Sequence, residues 1–201
     1  MSFNFADVST TGWIAVGALA ALAVVLLVIA RGHVRWTARM IANAALCLAL
    51  AFVLSYIKLF DLPQGGAVTA ASLLPIIAFA YSYGLAPGLV VGVAYGLLQM
   101  IQDPWIVSPV QAILDYPLAF ACIALAAVAR KLPDSWGWLA GIALGGVGRF
   151  VCHVLSGVVF FAEYAEGTGM SPLVYSVSYN SFVFVDLAIC AVVMAFPQVR
   201  R

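Results

Sequence analysis

Four ionisable residues, Asp115, Arg149, His153 and Asp186, interrupt stretches of sequence that are otherwise apolar, and Glu163 stands at the edge of one of them. Burying such groups in lipid is costly, so they mark a ligand or ion path or a pair that fixes helix packing. A carboxylate such as Asp115 can pair with a cation or accept hydrogen bonds from an aminopyrimidine edge. Tyrosine and tryptophan faces attract a positively charged ring. Together these types suit a cationic heteroaromatic ligand. Acyl chemistry is the weaker reading: Ser156 lies three residues from His153, but no GxSxG turn accompanies it. Cys47, Cys122, Cys152 and Cys190 form no CxxC motif and read as small apolar packing residues.

The elements that must position these groups are membrane helices. The chain of 201 residues is 65% hydrophobic and only 8% charged, with a mean hydropathy of +1.10. Its apolar runs, at 12–30, 37–57, 69–84, 87–102, 109–130, 138–164 and 173–196, approach or exceed the ~20 residues that span a bilayer as helix. Seven spans follow, the third and fourth joined by the turn at Gly84–Gly88. Placing the N-terminus outside puts Arg31, Arg35, Arg39, Arg130, Lys131, Arg200 and Arg201 inside and leaves only Lys58 among the loop cations outside, as the positive-inside rule asks. The first run carries positive charge after it and none before it, so it reads as a retained helix and not a cleaved signal. No basic patch points to nucleic acid, and no GxxxxGK[ST] sequence points to ATP hydrolysis by this chain.

Depth then sorts the polar groups. At 1.5 Å of rise per residue, Asp115 lies ~9 Å, Asn180 ~10 Å and His153 ~16 Å below the outer ends of their helices. Three side chains from three helices thus converge in one outward-facing pocket, with Tyr95, Trp105, Tyr116, Phe161, Tyr175 and Tyr179 near the same level. Apolar and aromatic walls with a few placed polar groups are what a small-molecule site requires. Arg149 and Asp186 lie deeper, ~22 Å and ~20 Å down, where they can pair with each other. A proton-coupled permease using Asp115, Arg149 and Asp186 is the rival reading, but no internal repeat supports it.

Several segments carry a family resemblance: LDYPLAF at 114–120 with Pro109 and Gln111 before it, RFVCHVLSGVVFFAEYA at 149–165, PLVYSVSYN at 172–180, YGLLQ at 95–99 and DPW at 103–105. In their order and spacing, from about Arg39 to Phe196, they resemble the thiamine-specific substrate-binding (S) subunit of energy-coupling factor (ECF) transporters. The resemblance implies an all-α membrane bundle of six helices in the bacterial plasma membrane, here residues 37–201. Residues 1–36 add an extra N-terminal helix and a basic cytoplasmic loop. It implies capture of thiamine, or a related aminopyrimidine or other vitamin, from outside the cell, with no catalysis and no cofactor. A transmembrane partner subunit and two ATPase subunits would supply the ATP-driven step. By motif, the ligand-binding residues are Asp115, Tyr116, His153, Tyr175 and Asn180, with Trp105 and Glu163 as neighbours. The family pattern also allows Glu where Asp115 stands and Trp where Phe161 stands. Docking on the transmembrane partner falls to small residues of the first core helix, here Ala38, Ala42, Ala45 and Ala49, whose spacing permits close helix approach.

Overall fold

A computed structural model describes Gly17 and residues 34–200; the proposed extra helix at 12–30 lies outside the described residues apart from Gly17. Thr37 caps the first described helix, α1 (Ala38–Ser55), by accepting from the Met40 amide. A small hairpin follows, β1 (Lys58–Asp61) paired antiparallel with β2 (Ala67–Thr69). Then come α2 (Leu74–Tyr83), α3 (Leu85–Gln102), α4 (Pro109–Lys131), α5 (Asp134–Phe160), and α6 (Pro172–Asn180) running through Ser181 into α7 (Phe182–Ala195). Among the described residues, five helical segments are long and apolar enough to cross a membrane, with α6 and α7 counted as one.

Two expectations need correction. The run at 69–84 is not one spanning helix: β2 ends at Thr69, the chain turns through Ala71 at φ +59°, and α2 has only 10 residues. Nor is the fold wholly helical. Pro63, Gln64, Gly65 and Gly66 reverse the chain, with Gln64 and Gly65 both at positive φ, and the Leu62 amide donates to the Gly66 carbonyl. Hydropathy counts composition, so it merged strand, turn and helix into a single apolar run.

Short α2 is largely buried within the bundle. Ile76, Ile77, Phe79 and Ala80 are all buried, as expected of a helix that is apolar all round. In lipid, close packing holds such helices together, and small residues permit it. Gly92 and Gly96 of α3 press against α4 so closely that a Cβ on Gly96 would stand 2.5 Å from the Tyr116 carbonyl oxygen. On α5, Gly141 and Gly145 face Ala126 and Ile123 of α4 in the same way. Cys122 and Cys152 meet where α4 and α5 cross, with 3.6 Å between sulfurs.

Candidate ligand-binding site

Asp115 sits in a widened turn of α4. Ser108 caps this helix and Pro109 starts it, but Pro117 has no amide to give the carbonyl one turn earlier. The backbone of Leu114–Leu118 relaxes into a π-type turn, a distortion frequent at functional positions. Its carboxylate accepts from Gln111 Nε2 and Ser156 Oγ, both at 2.6 Å, and faces His153 Nδ1 at 3.0 Å. Gln111 is one helical turn before it. Arg149, His153 and Ser156 share one face of α5, at positions i, i+4 and i+7.

The polar chain continues inward. Arg149 Nε donates to His153 Nε2 at 3.1 Å, and Arg149 Nη1 meets Asp186 Oδ2 at 3.4 Å. The guanidinium lies 4.8 Å from the centre of the Phe120 ring. Asp186 Oδ1 accepts from both the amide and the hydroxyl of Thr69, at 3.1 and 3.0 Å. The expected Arg149–Asp186 pair therefore forms, but it is not separate from the pocket: both residues line the same cavity as Asp115 and His153. Depth alone misplaced them, because an arginine side chain reaches past the ~5.4 Å of one helical turn.

That cavity, of about 130 Å³, opens among α1, the hairpin, α3, α4, α5 and α6–α7. Trp105, Tyr116, His153, Tyr175 and Asn180 all line it, as expected from the sequence, with Tyr179 and Phe161. Asn180 is buried and donates to the His153 and Ser176 carbonyls. Tyr116 Oη accepts from the Trp105 amide at 2.7 Å and donates to the Asp103 carbonyl at 3.1 Å. Glu163 is not brought to the cavity; it is exposed on a short helical turn, 162–165. Tyr95 is fully buried and bonds to the Ala51 carbonyl instead of lining the pocket. Ser156 donates to Asp115, not to His153, so the serine–histidine contact that a nucleophile needs is not made.

Sequence reasoning missed the lid. The hairpin lies across the cavity, which Gln64, Gly65, Gly66, Ala67 and Thr69 help to line. Tyr179 Oη accepts from the Gly66 amide at 3.1 Å and also bonds to the Pro63 carbonyl. Lys58 bridges Asp61 at 3.0 Å and Asp103 at 2.6 Å. The PQGG turn at 63–66 was the available signal. Behind the lid, Ser55, Gln99 and Gln102 join in a second polar wall.

The sequence profile of the thiamine transporter protein (Thia_YuaJ) family matches residues 41–201. The chain belongs to this family. It is 30% identical to the thiamine transporter ThiT of Bacillus subtilis (strain 168), over 78% of this chain and 91% of that protein. It is also 30% identical to the thiamine transporter ThiT of Lacticaseibacillus paracasei, over 70% and 76% respectively. A solved structure of ThiT from Listeria monocytogenes superposes with a TM-score of 0.68 at 25% identity, covering 77% of this chain and 90% of that one. These relatives are transporters, not enzymes, and with the apolar helices they make the chain a multi-pass membrane protein.

Proposed function

We propose that this family member is the substrate-binding subunit of an ECF-type transporter, capturing thiamine at the cavity behind the hairpin. The observation that carries the reading is the charge of that cavity. Asp115 and Asp186 bring two negative charges and Arg149 one positive charge, which leaves one negative charge while His153 is neutral. Thiamine carries one positive charge on its thiazolium ring and an aminopyrimidine edge that a carboxylate can accept from. Asp115 meets the aminopyrimidine. Tyr116, Tyr175 and Trp105 supply π-faces to the cationic ring, with His153 and Asn180 as polar contacts. The names of the relatives support thiamine as the ligand.

The cavity end faces outward. It carries Asp61, Asp103, Glu163 and Glu166, whereas Arg35, Arg39, Arg130 and Lys131 belong to the opposite end, the pattern the positive-inside rule supports. On this reading the C-terminus lies in the cytoplasm. Residues 37–201 are the binding domain. Ala38, Ala42, Ala45 and Ala49 form one exposed stripe along α1, suited to close docking on the transmembrane partner subunit. Two ATPase subunits energise release inward, and the chain itself holds no cofactor.

Reconstitution separates this role from that of a stand-alone permease. Purified protein in vesicles should bind labelled thiamine yet accumulate none until the transmembrane and ATPase subunits and ATP are added. Accumulation by the chain alone, driven by a proton gradient, would overturn the reading.

A further inference from the structure

The geometry points to Arg149 as a positioning residue that locks His153 in one neutral tautomer and so keeps thiamine capture insensitive to acid. This rests on the thiamine-binding reading above, but its first test does not need the ligand. Arginine has only donors to offer. With Arg149 Nε 3.1 Å from His153 Nε2, that ring nitrogen must be the acceptor. The ring proton then sits on Nδ1 and is donated to Asp115 at 3.0 Å.

An unguarded histidine beside a carboxylate would gain a proton in the mildly acidic range. Here the attraction of Asp115 and the repulsion of Arg149 act on the ring from nearly equal distances and largely offset each other. Added to these is the hydrogen bond from Arg149, which only the neutral ring can accept. Arg149 is itself held from three sides: Asp186 at 3.4 Å, the Phe120 face at 4.8 Å and the Phe182 ring at 5.9 Å. Thr69 in turn fixes Asp186.

Other titratable or charged groups share the cavity: Tyr116 on α4, Tyr175 and Tyr179 on α6, Asp103 after α3, and Lys58 on the hairpin. The tyrosines are neutral across the acidic range. Lys58 and Asp103 are paired with each other. The lock therefore holds the cavity at one negative charge. Protonating His153 would bring that charge to zero and weaken binding of a monocation.

The chain contains two histidines, His33 and His153, so His33→Gln leaves His153 as the sole ring to observe. Nitrogen-15 NMR of histidine-labelled protein carrying that substitution should show a neutral ring protonated on Nδ1 from about pH 8 to about pH 5. A ring protonated on Nε2, or one that becomes charged in that range, overturns the proposal. Thiamine titration then reads the consequence. Unsubstituted protein should keep its affinity within about twofold between those pH values. In Arg149→Met/Asp186→Asn, which neutralises both partners so that neither is left as an unpaired buried charge, affinity should fall about tenfold or more as His153 charges. Arg149→Lys, still a donor and still a cation, should stay flat. A flat profile in the double variant overturns the proposal. If the unsubstituted protein binds no thiamine at any pH while NMR shows the locked ring, the ligand assignment fails and the lock stands.

Discussion

Helices α4 and α5 pack against each other from Leu114 onward along α4, yet the two halves of that contact are held by different physics. Toward Ala126–Lys131 the contact is steric: Gly141 and Gly145 leave room for the α4 backbone, with virtual Cβ distances of 3.3 Å to the Ala126 carbonyl and 2.9 Å to that of Ile123. Toward Gln111–Tyr116 it is ionic and hydrogen-bonded, with Asp115 joined to His153 and Ser156. The Cys122–Cys152 contact marks the boundary. Close packing tolerates any residues of the right size. A paired charge network fails when a single member is lost, because the remaining partner is stranded out of water. The site half should therefore be the sensitive half for both stability and binding, and the packed half for stability alone.

The largest effect is expected at the innermost pair. Asp186→Ala strands the Arg149 guanidinium, whose side chain is only 10% exposed, and should cost about 3–5 kcal/mol. Thermal unfolding in detergent reads this directly, and a shift no larger than that of a surface control would break the comparison. Next comes Asp115→Asn, which keeps the volume but removes the charge and the acceptor for one donor. Thiamine affinity should fall about a hundredfold, or roughly 2–3 kcal/mol, with a smaller change in the melting temperature.

A glycine pair sharpens the contrast. Gly96→Ala drives a methyl into the Tyr116 carbonyl beside Asp115, which should cost about 1–3 kcal/mol and weaken thiamine binding as well. Gly141→Ala meets its nearest neighbour at 3.2 Å, so it should lower the melting temperature only slightly and leave affinity unchanged. Equal effects on binding would show that the two halves are not distinct.

The smallest effect concerns the lid. Lys58 bridges Asp103 and Asp61 at the surface, and an exposed bridge contributes within about 1 kcal/mol. Lys58→Met should change affinity only a few-fold. Hydrogen bonds to Asp103, then to Asp61, raise the Lys58 pKa above the ordinary lysine value. A raised folded pKa means the contribution is complete below that ordinary value and is lost only as pH climbs through the higher one. The Lys58 contribution should therefore not vary between about pH 5 and pH 9, a point that parallel titrations of parent and variant would check.

Much of this was legible in the sequence because helices have a fixed rise. Counting residues from the helix ends put Asp115, Asn180 and His153 within reach of one pocket, ~9 to ~16 Å deep, and the cavity contains all three. The exposed alanine stripe of α1 was legible from spacing in the same way. Side-chain reach was not: the separation of Arg149 and Asp186 from the pocket followed from backbone depth. The lid was not legible either, since β1 is exposed along its length and pairs through backbone groups that hydropathy does not register. Glu163 looked like a neighbour of the site because it falls within the 149–165 motif, but the helix ends at Phe160 and Glu163 lies exposed on the short turn that follows.

The most direct test of the central claim is a thiamine titration of the detergent-purified protein, followed by intrinsic tryptophan fluorescence, with Asp115→Ala beside it and a pyrimidine fragment as competitor. Trp105 lines the cavity, so occupancy should be visible. Saturable quenching that is lost in Asp115→Ala is the predicted result. Binding of the fragment without thiamine would change the ligand, and undiminished thiamine binding by Asp115→Ala would contradict the site.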